Sequence, residues 1–193
     1  MYSAICSDRK SGDEEIVDGS GRPVSTIKAF WQWAHSDIMN NAERGVFAEY
    51  LVGCAVGSVS KCRIEWDKFD LKTKEGISVE VKSSAYIQAW DQQKISDLRF
   101  DIRETIGIDG VTNVSESVKK RQAEVYVFCV HKHKDQDTIN SLDLKQWDFY
   151  VLSTKVLNEA VSSQKSIGLQ KLLAIGAVRT EYQYLLSAIT AAK

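Results

Sequence analysis

The stretch Phe69-Asp-Leu-Lys-Thr-Lys-Glu-Gly-Ile-Ser-Val-Glu-Val-Lys-Ser-Ser-Ala85 decides how the chain is read. From Ile77 to Lys82 apolar and polar residues alternate strictly, the period of a half-buried β-strand. Ile77, Val79 and Val81 are predicted to face a core, and Ser78, Glu80 and Lys82 to share the opposite face. Lys72-Thr-Lys-Glu-Gly76 carries turn chemistry, and the run from Arg63 to Leu71 before it reads as a partner strand. The result is a hairpin that brings Asp70 near Glu80.

Two carboxylates facing each other on neighbouring strands repel, and a divalent cation between them relieves that repulsion. Hard oxygen ligands with room left for water suit Mg²⁺. Lys82, on the same face as Glu80, is placed to hold or deprotonate an attacking water. The expected chemistry is phosphodiester hydrolysis, with the metal as Lewis acid, Asp70 and Glu80 as its anchors and Lys82 positioning the water. The competing reading is a Glu-x-Lys ion pair on a solvated strand face, where such pairs contribute little. Asp70 at hairpin spacing, Ser83-Ser84 directly after the lysine and Gln88 on a following helix weigh against it. Asp67 competes with Asp70, because alternation puts the two on opposite faces. The apolar flanks Phe69 and Leu71 favour Asp70, and a bulge would invert the choice.

Upstream, Ile27, Phe30, Trp31, Ala34 and Ile38, then Val46, Phe47, Tyr50, Leu51 and Cys54, keep helical spacing, as one helix or as two broken near Asn40-Asn41. Downstream, residues 85–94 are predicted helical, Leu98, Phe100 and Ile102 alternate as a strand, and 104–117 reads as a loop. Ala123–Val130 and Trp147–Leu152 are apolar enough for central strands, joined by a polar connection over 131–146. After Thr154 helices are expected, capped by Thr154 and Thr180, with Tyr182, Leu185, Leu186 and Ile189 as a buried stripe. The fold class is α/β, a mixed central sheet flanked by helices. Residues 1–25, polar and ending near Pro23, are expected to be a flexible lead-in to a single domain over 26–193.

Composition agrees with an ordinary globular protein. The 193 residues are 44% hydrophobic and 26% charged, which excludes disordered and collagen-like chains. With 25 Lys+Arg against 26 Asp+Glu the net charge is −1, so total charge identifies no partner. The four cysteines, Cys6, Cys54, Cys62 and Cys129, form no CxxC pair and read as reduced, mostly buried thiols. Charges crowd the first 21 residues where a signal peptide would be apolar, and no apolar run is long enough for a membrane span. A cytoplasmic protein without a membrane partner is expected.

Phe69-Asp70-Leu71, Gly76, Val79-Glu80-Val81-Lys82-Ser83-Ser84-Ala85 and Gln88 together resemble the catalytic core of the PD-(D/E)xK nuclease superfamily, the restriction-endonuclease-like fold. Asn41-Ala-Glu-Arg-Gly-Val-Phe-Ala-Glu-Tyr-Leu-Val52 resembles that superfamily's first core helix, in which a glutamate often reaches the metal. The resemblance spans about residues 40–130. Phe69 stands where the proline that names the group would be. The resemblance implies Asp70, Glu80 and Glu49 as metal ligands for Mg²⁺, with Mn²⁺ able to substitute, Lys82 as catalytic lysine, Gln88 reaching the phosphate or the metal's water, and DNA as substrate.

Other residues carry rival readings. Ser83 and Ser84 either meet a phosphate or cap the next helix. Arg44 either touches nucleic-acid backbone or pairs with a neighbour on the helix surface. Lys61, Arg63, Lys68, Lys72 and Lys74 near the hairpin, and Lys119, Lys120 and Arg121, either line a phosphate track or are solvated. Cys129, His131 and His133 share one face but lack a fourth zinc ligand. With Lys132 and Lys134, the two histidines read instead as a basic strand end. Trp31 and Trp147 are assigned to the core, and Trp90 to the core rather than to base stacking. The function expected is a Mg²⁺-dependent DNA nuclease, possible as a homodimer, with specificity from loops 104–117 and 131–146. The alternatives are an inactive nucleic-acid-binding or protein-interaction module on the same fold, and an ordinary α/β domain with a polar hairpin.

Overall fold

The computed structural model describes residues 4–5, 7–65 and 67–193. Its elements, in chain order, are β1 (Glu15–Val17), β2 (Pro23–Thr26), α1 (Ile27–His35), α2 (Asn41–Val56), β3 (Leu71–Lys72), β4 (Ser78–Ala85), β5 (Arg99–Asp101) and β6 (Thr105–Ile108). There follow β7 (Ser115–Lys120), β8 (Val125–His131), β9 (Trp147–Ser153), α3 (Thr154–Val161), β10 (Ser166–Gly168), α4 (Leu169–Ala174), β11 (Val178–Thr180) and α5 (Leu185–Ala191). The main sheet has five strands in the order β11-β9-β8-β4-β3, and within it only β4 and β8 run parallel. The fold is therefore α/β with a mixed central sheet.

Strand β8 is buried along its whole length, and its alternation divides the core. Val125, Val127 and Cys129 meet Val79 and Val81 of β4 under α2 and α5, through Ala48, Leu51, Val52, Leu185 and Ile189. Tyr126, Phe128 and Val130 face the other way, onto Phe100, Leu157, Ile167 and Leu172. Ile77, Val79 and Val81 are buried as their spacing requires. Helix α2 starts at Asn40, whose side chain accepts the Ala42 N–H at 2.9 Å, and ends at Gly57 with φ 71°. A Cβ on Gly53 would lie 2.7 Å from Val59 Cγ1 and 3.3 Å from Leu71 Cδ2, so glycine lets the helix approach the loop that follows it and β3.

Several expectations are corrected. The partner strand is only Leu71–Lys72, and residues 67–70 form bends leading into it. Residues 86–94 are not helical. Gln92 organises that loop, accepting the Gln88 N–H at 2.6 Å and donating to the carbonyls of Tyr86 and Lys94 and to Ser96 Oγ. Residues 105–120 form a hairpin, β6–β7, rather than a loop. Within the lead-in, β1 and β2 pair from Glu15 to Thr26. Trp147 is buried, but Trp31 and Trp90 are exposed. Ser153, not Thr154, caps α3, and Thr180 lies in β11. Leu185 and Ile189 are buried, whereas Leu186 faces solvent. Of the cysteines, Cys129 is buried, Cys54 partly buried and Cys62 exposed, all as free thiols, and Cys6 lies outside the described residues. Among the described residues no helix is long and apolar enough to cross a membrane.

Candidate active site

The hairpin turn closes through Thr73 and Ile77, with the Thr73 N–H on the Ile77 carbonyl at 2.9 Å and Gly76 at φ 87°. Leu71 pairs with Val79 and Lys72 with Ser78, so the register extended by one residue sets Asp70 across from Glu80. The Asp70 carboxylate turns inward and accepts the Val81 N–H at 2.7 Å. Asp67 instead accepts the N–H of its neighbour Lys68 at 2.8 Å. Of the two aspartates, Asp70 is the one joined to β4.

Burial, and after it the charges of Glu80 and Glu49, push the Asp70 carboxyl up to about 7, against the Val81 N–H and Lys82. Three acids thus crowd one region. Lys82 Nζ donates to Glu80 Oε1 at 2.6 Å on the same half-buried strand face. Burial works to lower the Lys82 ammonium, but the charge and hydrogen bond of Glu80, with Asp70 and Asp101, outweigh it and hold the lysine above its ordinary value. Glu49 on α2 is forked onto Arg63, whose Nη2 donates to Oε1 at 2.8 Å and whose Nε bonds Oε2. In this arrangement two of the three acids are closed by ion pairs. Among the described residues no three His, Cys, Asp or Glu side chains already form a metal cluster.

The remaining predicted residues lie elsewhere. Arg44, at the start of α2, is buried and donates to the Met39 carbonyl at 3.0 Å, to Gln88 Oε1 at 3.3 Å and to Asn41 Oδ1. Gln88 Nε2 donates to the Ala85 carbonyl at 2.8 Å. This pair ties α2 to the far end of β4; Gln88 is neither on a helix nor beside the acids. Five residues of strand separate Glu80 from Ala85, roughly 16 Å. Ser83 and Ser84 are within β4 and cap no helix; the Ser84 hydroxyl accepts the Arg99 N–H at 3.3 Å. Lys72 and Lys74 stand at the turn end of the hairpin, Lys74 next to Gly57.

At that far end His131 is fully buried with its ring edge-on to Trp147 at 5.0 Å, which removes it from any basic strand end. Lys132 is engaged with Asp148 at 2.8 Å, and Lys134 lies over the Tyr86 ring at 4.3 Å. His133 meets Thr138 at 2.7 Å, so Cys129, His131 and His133 share no metal geometry. Arg121 is buried and spends its donors on carbonyls, not on a phosphate track.

Two residues near the acids escaped the sequence reading. Asp101 on β5 acts electrostatically on Lys82, and Tyr126 on β8 pairs in register with Glu80. Burial and the Glu80 charge raise the Tyr126 hydroxyl. Tyr126 sits in an apolar run and is placed here by the parallel β4–β8 register, and Asp101 sits in an alternating strand that pairs antiparallel with β10. Arg63 was counted among local basic residues, but its hold on Glu49 depends on the fold of residues 57–70.

A search of curated proteins finds no match to this chain. A family model does match, that of bacteriophage T4 endonuclease IV, over residues 24–171. The span takes in Glu49, Asp70, Glu80 and Lys82 and covers well over half of the chain. The chain therefore belongs to the bacteriophage T4 endonuclease IV family and is, by that membership, a nuclease.

Proposed function

We propose that the chain is a Mg²⁺-dependent endonuclease of PD-(D/E)xK type that cleaves DNA, with residues 26–193 as one nuclease domain. The observation that carries this reading is the half-buried Asp70 carboxylate lying across from Glu80, with Lys82 beside it. Helix α2, the antiparallel β3–β4 pair and the parallel β8 follow one another in the order the resemblance implies.

The donor set suits a hard cation. Three carboxylates supply oxygen only, and burial first, then the Glu80 and Glu49 charges, raise the Asp70 carboxyl, so a cation at this place would relieve repulsion among them. Asp70, Glu80 and Glu49 would hold Mg²⁺, or Mn²⁺ in its place. When bound, such an ion supplies Lewis acidity and lowers the pKa of a coordinated water. Lys82, kept as an ammonium by its acidic neighbours, has no lone pair with which to take a proton. Its role is then electrostatic: to orient the attacking water and to stabilise charge developing on the phosphate. Arg63, once Glu49 turns to the ion, is free to meet a phosphate oxygen.

The closed Glu80–Lys82 and Glu49–Arg63 pairs favour one alternative, a nucleic-acid-binding module without activity. Conversion of supercoiled plasmid to nicked or linear DNA in Mg²⁺, absent in EDTA and in Glu80→Ala, is the expected result. A pure preparation that cleaves neither in Mg²⁺ nor in Mn²⁺ overturns the assignment and leaves the alternative.

A further inference from the structure

None of the nine residues of α1 is buried. A helix so short is marginal in water unless something covers it. The chain's own lead-in covers one side, where the Ile27 and Lys28 N–H groups meet the Glu14 and Gly12 carbonyls at 3.0 and 2.8 Å, and where a Cβ on Gly12 would be 3.1 Å from the Trp31 ring. A different side stays open. Trp33 stands there three residues from Phe30 and four from Ala29, and all three are exposed. From this side a chain of contacts leads to α2: the Phe30 ring is 6.5 Å from Trp33 and 5.9 Å from His35, and His35 Nδ1 meets Glu43 Oε2 at 3.0 Å. Val46 and Tyr50, three and seven residues beyond Glu43, continue the line along α2.

The strip is apolar, and its charge narrows what it can meet. Phe30, Trp33, Val46 and Tyr50 are 44%, 84%, 38% and 49% exposed. The three rings alone leave about 350 Å² of apolar surface in water, at roughly 200 Å² for each whole side chain. With Ala29 and Val46 beside them, that approaches the roughly 500 Å² of apolar surface that each partner of a stable homodimer hides. Neither lysine nor arginine stands in the strip, and Asp13, Glu14, Glu15 and Asp18 precede it in the chain. Nucleic-acid phosphates and anionic lipid headgroups both call for basic residues, so the charge suits neither. The one polar pair, His35 on Glu43, sets an imidazole beside a carboxylate, so the strip can complement its own rotated copy.

We propose that this strip pairs with the same strip on a second copy of the chain, in a two-fold homodimer built on α1 and on the helix that carries Glu49. The inference makes no use of the nuclease reading, and its test measures no cleavage. Sedimentation velocity on the full chain, over a concentration series up to about 100 μM, should show a dimer that dissociates on dilution and no larger species. Reducing buffer keeps the exposed thiol of Cys62 from linking copies. Trp33→Asp and, separately, Val46→Asp should each weaken the dimer at least about tenfold, as loss of a buried apolar anchor does. Val118→Asp, on the equally exposed β7, should stay within about twofold of wild type. Thermal melts check that the variants fold, and Val46→Asp alone decides if Trp33→Asp does not. A wild type that stays monomeric throughout, one that grows beyond a dimer, or a dimer that either folded variant leaves intact overturns the proposal. So does a monomer that binds an oligonucleotide or a lipid vesicle through Trp33, which would hand the strip to that occupant instead.

Discussion

The two ends of strand β4 face opposite electrostatic problems. At one end Asp70, Glu80 and Glu49 crowd more negative charge than Lys82 and Arg63 relieve. At the other, Arg44 is buried with no carboxylate partner among the described residues, and its charge bears on His131. Burial alone pulls the Arg44 guanidinium down to about 10. Among the described residues Arg44 Nε and both ring nitrogens of His131 lack hydrogen-bond partners. Burial, then Arg44 and His133, hold the His131 imidazole down to about 4 against the nearby Asn140 carbonyl. A charge imbalance by itself therefore does not mark a catalytic site. The acid end gathers carboxylate oxygens and a lysine on the same face, two of the acids closed by ion pairs that a cation would have to open, whereas the basic end is occupied in tying α2 to the loop after β4.

The sharpest way to break this contrast is at Lys82. Lys82→Ala should lower the single-turnover rate of plasmid cleavage in Mg²⁺ by roughly 10²–10³-fold, the range for removing one charge-stabilising donor. The melting temperature should change by only a few degrees. An unchanged rate would remove the acid end's claim to be catalytic.

Next in size is Asp70→Asn without metal. The folded carboxyl titrates near 7, against 3.8 for the ordinary group, so the folded state holds this proton more tightly than the unfolded one. Its contribution is full below about pH 4 and is lost as pH rises through 7. The variant should be more stable than wild type at pH 8 by about 3 kcal/mol, and equal to it near pH 4, in urea titrations with EDTA. Added Mg²⁺ should raise only the wild type.

Arg44→Ala probes the opposite end and should cost about 2 kcal/mol, because Gln88, Asn41 and the Met39 carbonyl lose a charged donor. Its activity loss should follow the unfolded fraction, with no change in the pH profile of cleavage. The smallest effect concerns His131→Phe. A histidine depressed from 6.5 to about 4 contributes stability above pH 6.5 that is lost as pH falls toward 4. The substitution should flatten that acid limb, by about 1 kcal/mol at pH 6. Asp70 and His131 thus weaken the metal-free protein in opposite directions of pH, and each variant should erase one limb only.

The hairpin was legible because period-2 alternation and a Gly76 turn depend on neighbours in sequence. The same holds for α2 and for the apolar strands β8 and β9. What failed depends on distant partners or on single side chains. Residues 85–94 read as a helix, but Gln92 bonds the loop's own backbone and stabilises another shape. Gly107 and Asp109-Gly110 read as loop chemistry, yet Gly107 only makes room in β6 for the Gln122 side chain, which would lie 2.8 Å from a Cβ there. Gln88 was grouped with Asp70 and Glu80 by proximity in the motif, and the extended run of β4 carries it beyond the strand's other end, where it meets Arg44 of α2. The chain order of a motif gives its members, not their distances.

Arg121 has one more consequence, for how the molecule can change over time. Three of its four partners are main-chain oxygens, which survive almost any substitution at Ile102, Val161 and Gln164. The foot of the β6–β7 ribbon is therefore insulated from drift in the residues around it. Beyond that foot, the exposed side chains of β6 and β7 can be exchanged without disturbing the sheet that carries Glu80, whereas the Gly110 tip, packed on Ile64 and Asp67, is held to glycine. The fold separates a part that must stay from a part that can be rewritten.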